Sequence, residues 1–311
     1  MSHMIRMIRT DPARKPRTWA AATVLSAAAV IAGTAGCSPG DQAPDKPKDA
    51  VRSAAARPPA ASASPDRGDL VTTYAKGAAG QDRETEAFLR QNKVLEDVAT
   101  YADSYFALPH DVPLRAKSCG DANAFWNPET KDITYCYEFA AALRPVYEQQ
   151  ETEGDARQRA AAVDEDVIGL TNGVLFHELG HGLVALYDLP ITGREEDAVD
   201  QLSVLMLATG DEKHAEYAVS TINAWAGLAQ ADAESKQPLD DYADEHSLSA
   251  QRYFNWACWL YGSDPEAYKS LVETTDNPDG VLPQSRAEQC PAEFSKISNA
   301  WGTLLDPYMK E

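Results

Sequence analysis

Basic residues are scarce in this chain. Lys and Arg number 28 against 48 Asp and Glu in 311 residues, a formal net charge of −20. So acidic a surface repels phosphate backbones and anionic headgroups, which excludes nucleic acid as a partner and denies a membrane surface any electrostatic hold. Cysteine is sparse too, five in all, and no two form a Cys-x-x-Cys pair, so a zinc–thiolate cluster is excluded. Long apolar runs are missing from the body of the chain, and no internal repeat points to a solenoid. The apolar, uncharged stretch at residues 19–36 is 18 residues long and rich in alanine, a poor membrane span.

That stretch fits an export signal instead. Arg6, Arg9, Arg14, Lys15 and Arg17 precede it, and it ends in Thr34-Ala35-Gly36-Cys37. A basic start, an apolar centre and small residues before a cysteine resemble a bacterial lipoprotein signal. Residues 1–36 are therefore expected to be removed and Cys37 to carry the lipid, leaving a mature chain of charge −24 once five basic residues and Asp11 are gone. Residues 37–69, rich in Pro, Ala and Ser, read as a disordered tether. The expected location is the extracytoplasmic face of the cell membrane, reached through the lipid anchor alone. Cys119, Cys136, Cys258 and Cys290 remain, an even number in an exported chain, which implies two disulfides. Cys119–Cys136 and Cys258–Cys290 are the favoured pairs because each closes a local loop.

Within the remaining 70–311, the stretch richest in chemistry is His177-Glu178-Leu179-Gly180-His181. Residues four apart on a helix share a face, so His177 and His181 are placed to present two imidazoles to one metal ion, with Glu178 beside it to handle the proton of a water. A catalytic zinc site usually takes a third protein ligand. Leu189-Pro190-Ile191-Thr192-Gly193 reads as a turn, and Glu195, Glu196, Asp197 and Asp200 follow it. Thr192 and Glu195 have the spacing of a capping box, which gives Glu195 a structural task. Glu196 is the expected ligand, with Glu195 or Asp197 as alternatives, and Asp200, on the same face, is expected to orient a histidine. Imidazole and carboxylate donors suit Zn²⁺. Gly180 and Gly182 weaken the helix, which makes sense where another segment or a substrate approaches closely, and loose packing explains them equally well.

His177-Glu178-x-x-His181 followed by Glu196-x-x-Val199-Asp200 resembles the gluzincin branch of zinc metallopeptidases. With Ala124-Phe125-Trp126-Asn127-Pro128, Thr192-Gly193-Arg194-Glu195-Glu196-Asp197 and the run from Gln251 to Pro265, the chain is similar to a bacterial metallopeptidase family whose members are largely uncharacterised. The resemblance covers about Leu70 to the C-terminus. It implies an α+β, mostly α, zincin-like domain with a small sheet and an edge strand above the metal helix that pairs with a peptide or protein substrate.

The pattern along 70–311 agrees with mostly helix. Helices are expected at 83–106, 138–150, 164–188, 194–209, 212–230, 247–261, 265–273 and 291–305, and strands at 111–119 and 132–139, the latter the candidate edge strand. Glu178 is the expected general base. His246 is the first candidate to stabilise the oxyanion and Tyr253 the second. His214, at an acidic helix start, is expected at the surface. The expected reaction is zinc-assisted peptide hydrolysis by a monomer. The alternative is an exported lipoprotein that uses the same scaffold to bind metal without proteolysis.

Overall fold

The computed structural model describes residues 66–234 and 239–310. The expected signal, Cys37 and most of the expected tether lie outside the described residues.

The fold is α+β and mostly helical, with one four-stranded sheet. In chain order the elements are β1 (Leu70–Tyr74), α1 (Gln81–Gln91), α2 (Val94–Asp103), β2 (Val112–Lys117), β3 (Ala124–Asn127), β4 (Asp132–Cys136) and α3 (Tyr137–Gln150). There follow α4 (Ala156–Tyr187), α5 (Glu195–Thr209), α6 (Glu212–Glu234), α7 (Ser249–Ser263), α8 (Gln284–Ala287) and α9 (Cys290–Leu305). The sheet order is β1-β2-β4-β3, with β1, β2 and β4 parallel and β3 antiparallel to β4.

The expected edge strand is therefore corrected. β4 is interior, all five of its residues are buried, and the chain turns helical at Tyr137. Its β-branched and aromatic residues belong to a strand covered on both faces, which periodicity cannot tell from a half-exposed one. The free edge on this side is β3. A turn joins the two, in which the Asn127 side chain accepts from the Glu129 and Thr130 amides and Lys131 takes a left-handed φ of 51°.

Three helix expectations also change. The helix expected at 83–106 is two, because Lys93 adopts a left-handed φ of 53° between α1 and α2. α4 begins at Ala156, eight residues before the expected 164, where Asp155 and Gln158 form a reciprocal capping box. The helix expected at 265–273 is turns and a short 3₁₀ segment, Lys269–Leu271.

α4 runs through the centre of the molecule, and every residue from Gly169 to Gly180 is buried. A helix covered all round must let its neighbours close in, and its glycines do so. A Cβ on Gly173 would lie 2.2 Å from Thr221 Oγ1 of α6, and one on Gly180 would lie 2.7 Å from Val199 Cβ of α5. Disulfides join Cys119 to Cys136, beside β2 and β4, and Cys258 to Cys290, between α7 and α9, the pairs expected from the sequence.

Candidate metal centre

α4 and α5 meet where Gly180 faces Val199, and that close approach sets the distance between two sets of side chains. From α4 come His177 and His181, one turn apart. From α5 comes Glu196, three residues before Val199. His177 Nε2 lies 3.0 Å from Glu196 Oε2 and His181 Nε2 lies 3.2 Å from Glu196 Oε1. One donor atom from each of the three lies within 4.8 Å of the others. A single cation fits among atoms so gathered.

The far nitrogen of each imidazole is also held. His177 Nδ1 is 2.8 Å from Asp200 Oδ1, and His181 Nδ1 is 2.8 Å from Glu195 Oε1. A carboxylate on Nδ1 fixes ring and tautomer and leaves the Nε2 lone pair for a metal. Glu195 thus has a different task from the expected cap: Arg194 stands at the N-cap of α5 with no side-chain cap bond, and Glu195 reaches back across the turn to His181. Asp197 accepts from the Ser247 hydroxyl and faces away from the imidazoles.

The charges are strongly coupled. Burial raises the Asp200 carboxyl, but the Arg252 guanidinium and His177 outweigh it and hold it well below the usual carboxylate range. Glu196 is also raised by burial and is held far lower by three imidazoles, those of His177, His181 and His246. Burial lowers His177, while its bonds to Asp200 and Glu196 bring it above its ordinary value; the same contest at His181, with Glu196 and Glu195, ends at about 9. Four carboxylates, Glu178, Glu195, Glu196 and Asp200, thus crowd the imidazoles, with the Arg252 guanidinium paired to Asp200. That excess of negative charge and that donor set fit a divalent ion. The other gathered set, Cys119, Cys136 and Glu138, does not, because its sulfurs are joined in a disulfide.

Over residues 74–305 the sequence matches the family described as "Putative metallopeptidase". The chain belongs to this family. Comparison with curated proteins and with solved structures finds no match. The matched span contains every residue of the centre.

In this member of the family the remaining side chains of the centre come from further along the chain. Arg252 of α7 grips Asp200 with two bonds, Nε to Oδ2 at 2.8 Å and a terminal nitrogen to Oδ1 at 2.6 Å, while its guanidinium lies 3.8 Å over the Trp225 ring. This planar fork on a carboxylate fixes the acid that fixes His177. Nothing in the local sequence marks Arg252 for that role, since its partner is 52 residues away.

His246 reaches the centre from the segment before α7. Its Nε2 is 3.0 Å from Glu196 Oε2 and its Nδ1 is 3.0 Å from Asp244 Oδ1. Arg194 donates to its carbonyl oxygen at 3.3 Å, so the segment is tied to the start of α5. Tyr253, the second candidate for the oxyanion, is buried, packs edge-on against Phe254 and is not among the residues lining the cavity at the centre. The surface position expected of His214 is corrected: it is buried, stacked 4.2 Å from Tyr101 and bonded to Asp211, because the start of α6 packs inward at this position.

Glu178 meets the sheet edge. Its Oε2 accepts from the Trp126 backbone N–H at 2.8 Å. Cys136 donates to the Asn123 carbonyl on the other side, so the alternation of an antiparallel ladder turns the Ala124 and Trp126 main-chain groups outward. The Trp126 ring covers Gly182, where a Cβ would lie 3.2 Å from it. Ala124-Phe125-Trp126-Asn127-Pro128 carries part of the family resemblance, and the bond to Glu178 is made by its main chain.

Proposed function

We propose that this metallopeptidase-family protein is a zinc-dependent peptidase of the gluzincin type. The observation that carries the reading is the convergence of His177, His181 and Glu196 beside a glutamate that itself touches an open strand edge. His177 and His181, through Nε2, and Glu196, through its carboxylate, would hold Zn²⁺, whose chemistry when bound is to acidify a water and polarise a scissile carbonyl.

The chain's own groups divide the rest of the work. Glu178 takes a proton from the attacking water on its carboxylate and passes it to the leaving amine. His246, turned by Asp244 on its Nδ1, donates from Nε2 to the oxygen on which charge develops. Asp200, gripped by Arg252, and Glu195 keep the two imidazoles in place. The outward carbonyls of Ala124 and Trp126, whose N–H groups are held by Asn123 and Glu178, accept from an extended peptide and lay it across Glu178. A lipid on Cys37 and a tether to residue 69 would hold this domain, as a monomer, at the outer face of the membrane.

Glu178→Gln tests the reading. Metal analysis should find one zinc per chain in both proteins, and cleavage of a peptide library should drop about 10²–10⁴-fold in the variant. A zinc-loaded wild type that leaves such a library intact removes the peptidase assignment.

A further inference from the structure

Away from the centre, Cys119, Cys136 and Glu138 bring a second set of ligand atoms within 4.8 Å of one another. No Cys-x-x-Cys spacing marks this pair of cysteines. The register of β2 on β4, which sets Lys117 opposite Cys136, brings them together. The two disulfides differ in access. Cys119 is exposed and Cys136 fully buried, whereas Cys258 and Cys290 are both sealed. A thiolate in solution therefore reaches one sulfur, that of Cys119. The sulfur it expels, that of Cys136, stands at the N-cap of α3, where the unpaired amides of a 14-residue helix favour negative charge.

Both cysteines are also held in place by bonds that do not involve sulfur. The Glu138 carboxylate accepts from the Cys119 amide at 3.0 Å and from the Gly120 amide at 2.6 Å, with Gly120 at a left-handed φ of 84°. The Ser118 hydroxyl accepts from the Ala78 amide at 2.9 Å and donates to the Asp82 carboxylate. Cys136 donates to the Asn123 carbonyl at 3.0 Å and ends β4, a strand paired on both sides. Breaking the sulfur bond leaves all of these contacts standing, so the two thiols stay side by side next to Glu138.

We propose that Cys119, Cys136 and Glu138 form a redox-gated metal site, closed while the sulfurs are joined and open to one thiophilic divalent cation, Zn²⁺ above all, once a dithiol has reduced them. One thiolate of the dithiol bonds to Cys119 Sγ, and the bond to Cys136 breaks with its electron pair leaving on Cys136. The second thiolate then attacks the reductant's own sulfur in the mixed disulfide. The dithiol departs as a cyclic disulfide, two electrons have passed to the protein, and Cys119 is freed as a thiolate. A metal ion takes the place of the two protons that the thiols otherwise carry. Two thiolates and one carboxylate fill three of the four positions of a tetrahedral zinc, and water fills the fourth from the exposed side at Cys119. Soft sulfur donors favour zinc over magnesium and calcium. None of this depends on the peptidase reading.

Metal analysis of the oxidised and reduced protein tests this, with a phosphine as reductant so that no added thiol competes for the ion. After equilibration with Zn²⁺, the reduced protein should hold one more zinc per chain than the oxidised one. Co²⁺ in its place should give the intense near-ultraviolet band of thiolate ligation, which the oxidised protein should lack. Cys119→Ser combined with Cys136→Ser should lose both the extra zinc and the band. Glu138→Gln, which can still accept from the two amides, should weaken the extra zinc at least about 10-fold. Oxidised glutathione should close the disulfide again and release one zinc. Equal zinc in the two states, an extra zinc that survives in the double serine variant, or an affinity that Glu138→Gln leaves unchanged would overturn the site. So would loss of the native circular dichroism on reduction, because the cysteines would then be held together by their bond alone.

Discussion

Replacing Gly180 by alanine is the sharpest probe of how the two ligand-bearing helices are spaced. In an ordinary exposed helix this change stabilises by about 1 kcal/mol. Here the new methyl would lie 2.7 Å from Val199 Cβ and 2.8 Å from its Cγ1, against about 3.5–4.0 Å for relaxed carbon contacts. Val199 is fully buried, so it cannot swing aside, and α4 and α5 must part by about 1 Å. Overpacking of this kind costs about 1–3 kcal/mol, which outweighs the helix gain and leaves a net loss of up to about 2 kcal/mol. The displacement reaches the metal centre, since Glu196 and Asp200 flank Val199 on α5 and metal distances tolerate only about 0.2 Å. Zinc affinity should therefore fall about 10–100-fold, the range seen when groups supporting a ligand are disturbed. Calorimetric zinc titration gives the affinity, and urea unfolding of the metal-free protein gives the stability. Gly193→Ala is the control, because a Cβ there meets nothing within 4 Å. Val199→Gly combined with Gly180→Ala removes the colliding Cβ together with its methyls and should recover most of the zinc affinity. A Gly180→Ala protein as stable as wild type and equally avid for zinc would refute the argument.

Other perturbations separate the remaining electrostatic claims. Asp166 of α4 is half-buried against α6, accepts from the Ser220 hydroxyl at 2.7 Å and is pushed up by desolvation to about 6. A folded value above the ordinary 3.8 means that its contribution is complete below about pH 4 and is lost as pH rises through 6. Asp166→Asn should thus gain up to about 3 kcal/mol at pH 8 and nothing at pH 4 in urea unfolding; the same difference at both pH values would sink this. Asp200→Asn should weaken zinc about 10–100-fold and destabilise the fold by leaving Arg252 unpaired. Adding Arg252→Met should restore much of the stability but not the affinity, and an unchanged affinity in Asp200→Asn would show that His177 needs no anchor. With His181 raised to about 9, zinc arriving at pH 7 must expel its proton, so affinity should climb with pH up to about 9. In the metal-free protein the same pairing adds stability that is full below 6.5 and lost as pH rises through 9. Titrations in buffers of differing ionisation enthalpy count the protons released, and a count of zero contradicts this account.

Local geometry explains which parts of the molecule were legible in the sequence. Two histidines four apart need only a helix to share a face, and Glu196 with Asp200 needs only the next helix. The disulfides span 17 and 32 residues, and short loops are the natural first choice. What escaped depends on distant partners. β3 is four half-buried residues next to a proline, too short for any periodicity, and its importance lies in main-chain groups that carry no letter. β4 could be read as a strand but not as an interior one, since its neighbours on both sides are set by sheet order. His214 is polar and lies among acids, yet Tyr101, more than a hundred residues earlier, buries it. Arg252 is legible only as one basic residue in an aromatic stretch, and its partners Asp200 and Trp225 both lie far off in the sequence.

The packing of α4 against α5 bears on when the ion is acquired. His177 and Glu196 are 19 residues apart, so a divalent ion between them staples a small loop of chain. The same two helices are already joined without it, by Gly180 against Val199 and by the Ser203 hydroxyl on the Gly173 carbonyl at 2.7 Å. Small zinc modules collapse only around their metal; here the two helices are held by contacts that need no ion, so the domain should fold before it takes one up. A chelator should then strip the protein to an inert but intact form, and returning the metal should revive it without refolding, so that occupancy tracks the metal supply rather than the history of the chain.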